Sequence, residues 1–338
     1  MKTGWKLVLT ALGSLSVLVL TASFGSVPIP PGDILHILGH KLLDMPLEGL
    51  SPISADILWK VRLPRAVMAY LVGSALSVSG AVMQSVLRNP LASSYTLGVS
   101  AGASLGAAIV ILTGLTLSFA GMLTLPFVAS VFGLSTVFVA MGLAARFDRS
   151  MHNETIVLVG MVLSLFVNAI LTLVTALSQD HLRQLVFWQM GSFSGKEWQH
   201  VAVVTPILLT GVLLLSLLTH EMDILTFGEE QALSAGVELR KVKPLLIGLC
   251  ALLTGTSVAF VGTIGFVDLI VPHVARRIFG ASHRLVLPAS ALLGGPMMAV
   301  ADLVSRTVLA PRELPVGAVT ALIGAPFFAY VYFKERSG

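Results

Sequence analysis

The sequence predicts an all-α, polytopic membrane protein, and three observations carry that prediction. Mean hydropathy is +0.91. Only 11% of the residues are charged, against roughly 25% in an ordinary soluble domain. From Asn89 to Ala145 there is no Asp, Glu, Lys, Arg or His. A membrane helix takes about 20 apolar residues, so that stretch holds at least two spans and a turn. The net charge of +4 does not point to nucleic acid, because the basic residues are scattered singly between apolar runs and form no stripe. Orientation bias accounts for the excess. Cys250, the single cysteine, lies mid-span and reads as packing.

Breaking the apolar runs at charges and at Pro/Gly clusters gives about ten transmembrane helices, near 5–24, 66–87, 95–114, 121–145, 155–178, 197–219, 244–262, 266–279, 285–308 and 315–333. The first follows Lys2 and Lys6 and is trailed by small residues, as in a signal peptide; with so many spans behind it, an uncleaved helix is the simpler account. The second opens on "RLPR", with Pro64 suited to a first helical turn. The third is read as one unbroken helical pattern, "ASSYTLGVSAGASLGAAIVIL". The eighth is short and carries Asp268, Pro272 and His273. Placing the N-terminus inside puts 13 of the 21 lysines and arginines on the cytoplasmic side, so both termini are expected there.

Two connections are long. The outer one, 25–61, has an amphipathic run after Pro31 and Gly32 suited to the membrane surface. The inner one, 220–243, is the most charged stretch of the chain; Gly228 and Gly236 break it into two short helices with a turn. It reads as a docking surface or as a solvated linker. Residues 1–338 form one membrane domain.

Two catalytic motifs fail on context. Gly98-Val-Ser100-Ala-Gly102 matches G-x-S-x-G, but a nucleophile elbow needs a strand before the serine. Gly98, Gly102 and Gly106 fall four apart instead, the spacing on which membrane helices pack. "GSFSGKE" is one residue short of a Walker A loop and has Glu197 where a hydroxyl belongs. No metal-ligand spacing is present. Charges in apolar context carry more information. Asp302 and Arg306, four apart, can pair on one helix face. Arg62, Arg65 and Arg306 give an arginine-bearing outer face, suited to carboxylates of another protein or to interfacial anchoring. Asp268 and His273 either form a proton or ion site in a broken helix or satisfy backbone groups freed by Pro272.

Several stretches together resemble the permease subunits of ATP-binding-cassette importers for iron–siderophores, haem and vitamin B12. They are "RLPRAVMAYLVGSALSVSGAVMQSVLRNPLA", "LGVSAGASLG", "LRQLVFWQMGSFSG", "GTIGFVDLIVPHVARRIFGASHRLVLPASALLGG" and "ADLVSRTVLAPRELPVGAVTALIGAPFFAYV". The resemblance covers about residue 30 to the C-terminus. It implies a ten-helix permease of the bacterial cytoplasmic membrane that pairs with a second permease copy, identical or homologous. It also implies two cytoplasmic P-loop ATPase subunits, which hold the ATP and Mg, and an extracytoplasmic substrate-binding protein. This chain is then no enzyme and binds no cofactor.

By the same resemblance, Arg62, Arg65 and Arg306 match positions that engage the binding protein. Asn89 and Leu91, with Asn153 and Glu154, match the cytoplasmic gate. The 220–243 loop, including Phe227, Gly228, Glu229, Glu230, Ala232 and Gly236, matches the ATPase-coupling helices. Glu154, Ser94 and Asp268 depart from the family pattern. Two rivals stand beside this reading: an ion-coupled secondary transporter using Asp268, His273, Asp302 and Arg306, and an intramembrane hydrolase using Ser100.

Overall fold

The computed structural model describes residues 2–25, 29–43, 46 and 51–336. Parts of the expected outer segment (26–28, 44, 45 and 47–50), and residues 1, 337 and 338 of the single domain, lie outside the described residues. Among the described residues the chain is all helix and loop: α1 (Lys2–Ser23), α2 (Pro31–Leu43), α3 (Pro52–Ile57), α4 (Leu63–Val86), α5 (Val99–Thr113), α6 (Thr124–Phe147), α7 (Asn153–Ala176), α8 (Leu182–Gln189), α9 (Trp198–Leu217), α10 (Thr219–Leu225), α11 (Glu229–Ser234), α12 (Leu239–Val261), α13 (Val267–Phe279), α14 (His283–Thr307) and α15 (Val316–Arg336). Each of the ten expected spans coincides with one of these helices. Seven stretches are long and apolar enough to cross a membrane; α5 and α13 are shorter, as is the apolar stretch Val316–Tyr330 of α15.

The bundle is built around α4. Of its 24 residues 20 are buried, as expected for a helix that is apolar or small all round. It packs against α12, α13 and α14. Glycine sets the closest approaches: a Cβ on Gly73 would lie 2.3 Å from the Gly294 carbonyl oxygen, and one on Gly80 would lie 1.9 Å from the Asp268 carbonyl oxygen. At the other extreme, α7 buries only Ile156, Gly160, Val167 and Leu171. Leu158, Met161, Val162, Leu165, Phe166 and Leu173 face outward, toward lipid or another chain.

Two expected boundaries are corrected. The second span does not begin at 66. Pro64 has no N–H to return to the preceding turn, and residues 58–62 are wound as a π-helix, with the Leu63 N–H reaching back to the Leu58 carbonyl. That wider turn lets the helical path run on from Pro52. The third span is not one unbroken helix. Ser94–Leu97 is a short 3-10 turn, and Gly98, at φ +87°, breaks the path before α5 begins.

Candidate functional site

At the end of the bundle where α4 starts, five charged side chains converge from distant parts of the chain. The Arg65 guanidinium forks over Asp302, with Nε 3.0 Å from both carboxylate oxygens and Nη2 2.8 Å from Oδ1. It also grips Glu313, Nη1 to Oε1 at 2.7 Å and Nη2 to Oε2 at 3.1 Å. Arg62 turns toward the C-terminal carbonyls of α1, donating from Nη1 to Ser23 O at 2.8 Å. Arg306 donates to the Thr21 carbonyl, and its Nε lies 3.6 Å from Asp302 without a hydrogen bond. Arg62, Arg65, Arg306 and Glu313 line a cavity of about 310 Å3. Three guanidiniums against two carboxylates leave it basic. Arg62 and Arg65 are almost fully buried, whereas the Glu313 side chain is 36% exposed.

The opposite end carries the gate and loop residues of the sequence analysis. Gly228, at φ +121°, separates α10 from α11, and Gly236 follows α11 at φ +85°. Phe227 is 73% exposed, and Glu230 and Leu233 are exposed beside it; Ala232 is fully buried. Asp223 on α10 accepts from the His283 N–H (2.8 Å) and from His283 Nδ1 (2.6 Å), which fastens α10 to the first turn of α14. Burial raises the Asp223 carboxyl, but these hydrogen bonds outweigh it and hold the group below the usual carboxylate range. On its other face His283 shares a 2.5 Å hydrogen bond with Ser85 of α4. Arg276 of α13 donates to Gln84 and to the Ala81 carbonyl on the same helix end. Asn89 closes that end: its Oδ1 accepts from the Leu91 N–H at 2.9 Å, and Leu91 is half exposed.

The second attachment is at Lys243. Its ammonium is completely buried and donates to Glu229 Oε1 (2.6 Å), Asn153 Oδ1 (2.9 Å) and the Met151 carbonyl (2.9 Å). Glu154, next to Asn153, is exposed. Asp148 orders the intervening turn by accepting from the Ser150 and His152 N–H groups, and these, with the His152 ring, bring its carboxyl down to about 2.

Mid-bundle, Asp268 accepts from Ser93 and is buried at the start of α13, with the first-turn N–H of Leu269 directed at it. His273 stands edge-on to the Phe327 ring. Ser100 Oγ meets Thr263 Oγ1 at 2.8 Å on a regular helix. Gly102 and Gly106 press on α6, where a Cβ on Gly102 would lie 2.2 Å from Thr136 Oγ1; Gly98 meets Thr136 and Ser164. On α7, Asn168 and Thr172 are exposed, and with Thr175, α8's Gln189 and the apolar Leu171, Ala176, Leu182 and Val186 they line a cavity of about 760 Å3. Sequence reasoning missed this polar strip, together with Glu313, Lys243 and His283. The signal for Glu313 was a lone acid in "PRELP", and for Lys243 a lysine at the mouth of an apolar span.

The model of the FecCD transport family matches residues 12–334. The chain belongs to that family. FecCD proteins of this kind are ABC transporter permeases of the inner membrane, and their ATPase is a separate subunit. An ABC transporter permease protein of Bacillus subtilis is 39% identical over 321 residues, 95% of this chain and 91% of its own. The vitamin B12 import system permease of Yersinia enterocolitica is 38% identical, covering 86% of each chain. The FecCD fold is shared with a solved metal-chelate type ABC transporter in an inward-facing conformation, at a TM-score of 0.86 and 28% identity over 98% of this chain and 99% of that one.

Proposed function

We propose that this FecCD permease carries a metal chelate, of the iron–siderophore, haem or cobalamin class, into the cytoplasm by alternating access, as a dimer driven by two ATPase subunits. The observation that carries the reading is the α10–α11 pair, where Phe227 and Leu233 stand exposed beside Glu230 at the charged end of the bundle. Exposed apolar side chains rimmed by charge mark a protein contact. Phe227, Gly228, Glu229, Glu230, Ala232 and Gly236 then form and shape the ATPase-coupling surface, and that end is cytoplasmic. All ten helices long enough to have been expected as spans cross the membrane, with both termini inside. ATP and Mg2+ reside on the partner, and this chain holds no cofactor.

The strip of Asn168, Thr172, Thr175 and Gln189 supports a transport path at the face of α7. An exposed asparagine in lipid is costly, so this face belongs against water and the second permease copy. The path offers few charged groups, so the binding protein supplies specificity. Docking of that protein uses Arg62, Arg65 and Arg306: a carboxylate of the partner displaces Glu313, the exposed member of the Arg65 cluster. Asn89, Leu91, Asn153 and Glu154 close the cytoplasmic exit, while Gly98, Gly102 and Gly106 set the α5 packing against α6 and α7 over which it slides.

The test is gentle detergent purification of the tagged chain from its native membrane, with mass spectrometry of its companions. A P-loop ATPase is expected, and Phe227→Asp is expected to lose it. A chain that comes alone and drives uptake in ATP-free vesicles would overturn the reading in favour of ion coupling through Asp268 and Asp302.

A further inference from the structure

The two short helices of the cytoplasmic loop are fastened to different parts of the bundle. Through Asp223 and His283, α10 is tied to α14 and the end of α4. The first residue of α11, Glu229, is tied through Lys243 to α12, which carries the lysine, and to the start of α7. An ammonium has three N–H donors, and Lys243 uses them on three acceptors from two segments: Glu229 of α11, and the Met151 carbonyl and Asn153 Oδ1 where the 148–152 turn runs into α7. No atom of its side chain reaches solvent. The turn is shaped to present that carbonyl. Met151 sits at φ +57°, the left-handed region, and Asp148 fixes the flanking N–H groups. A lysine buried this way is costly unless each of its bonds is kept, so the segments it joins are held to move together.

We infer that Lys243 is a positioning residue that passes displacement of α11 to the inner end of α7. The inference rests on the importer reading above, since only a docked ATPase displaces α11. Helix α7 is otherwise lightly buried: only Ile156, Gly160, Val167 and Leu171 are covered, and its outward face holds Asn168 and Thr172. A push on α11 therefore reaches the path-lining helix through one ammonium. The α10 attachment leads instead to the densely packed α4.

The experiment uses the intact complex with its co-purified ATPase in nanodiscs, with spin labels at Leu158→Cys, exposed on the second turn of α7, and Arg284→Cys on α14. Native Cys250 is buried and does not interfere. The inter-label distance is measured without nucleotide and with ATP–vanadate, alongside ATP hydrolysis. In the otherwise wild-type complex the distance is expected to shift on trapping. Lys243→Met fills the same space with no donors; it is expected to keep the ATPase bound and hydrolysing while the distance shift disappears. Asn153→Ala keeps the Lys243–Glu229 and Lys243–Met151 bonds and removes only the side-chain bond to α7, so it is expected to diminish the distance shift should Lys243→Met fail to assemble. An undiminished shift in Lys243→Met, or in Asn153→Ala, overturns the inference and leaves the importer reading standing. A wild-type chain that retains no ATPase overturns both.

Discussion

At the scale of single residues, the chemistry of this permease is a matter of buried charges whose partners come from far along the chain. Asp302 is 1% exposed and takes three hydrogen bonds from Arg65. Removing one member of a buried pair leaves the other uncompensated. Asp302→Ala is therefore expected to cost about 3 kcal/mol, the low end for such a loss because Glu313 still holds one arm of Arg65. Glu313→Ala, at a third-exposed position, is expected to cost under about 1 kcal/mol. Reversible unfolding in mixed micelles on SDS titration reads both; equal costs would mean that Asp302 is not the anchor. Asp148 gives a pH signature. Its carboxyl lies near 2 in the fold, below the ordinary 3.8. Its contribution is thus complete above about pH 4 and fades as pH falls toward 2. The melting-temperature gap between wild type and Asp148→Asn is expected to be flat above pH 4 and to shrink below it.

At the scale of elements, packing is decided where a helix has no side chain. Gly80→Ala puts a methyl group into the Asp268 backbone of α13, and Gly102→Ala puts one against Thr136 of α6. Each is expected to destabilise by about 1–3 kcal/mol, the usual cost of overpacking. Gly142→Ala, with nothing within 4 Å of the added atom, is the neutral control, and fluorescence-detected melting of detergent extracts ranks the three. The spans themselves were legible because lipid demands that a crossing segment satisfy its own backbone, which writes long uncharged runs into the sequence. The breaks in them were not. Whether Gly98 continues a helix or turns left-handed depends on Thr136 and Ser164 packed against it, and the π-turn before Pro64 is a backbone choice that hydropathy does not record. The arginine trio was visible as residue types. That Arg65 would meet Glu313, 248 positions on, is a fact of topology alone. The same holds for Lys243: a lysine at the start of a span reads as a membrane-edge anchor until the 148–152 turn is folded over it.

At the scale of the whole molecule, the permease is asymmetric about its own axis. One side is the close-packed set of α4, α12, α13 and α14; the other is α7, which presents most of its surface outward. On the proposed importer reading, the strip of Asn168, Thr172 and Thr175 faces a second permease copy. Cross-linking of an Asn168→Cys variant in native membranes is expected to capture a permease of about the same mass across that strip. Failure to capture a permease, with the cysteine still labelled by a thiol reagent, would place the strip outside any such pairing.

The burial of α4 has a consequence for how the chain is made. Gln84, Ser77, Ser79 and Ser85 are polar groups that the finished bundle covers with α12, α13 and α14. Synthesis runs from the N-terminus, and about 200 residues separate the end of α4 from the start of α14, roughly 10–40 s at 5–20 residues per second. Until that interval ends the centre of the future bundle lies in the bilayer without its full set of neighbours, α12 and α13 arriving late in it and α14 last. Nascent chains arrested after α9 are expected to be cleared quickly by membrane proteases and those arrested after α14 to persist, so the last third of the gene decides whether the first third survives.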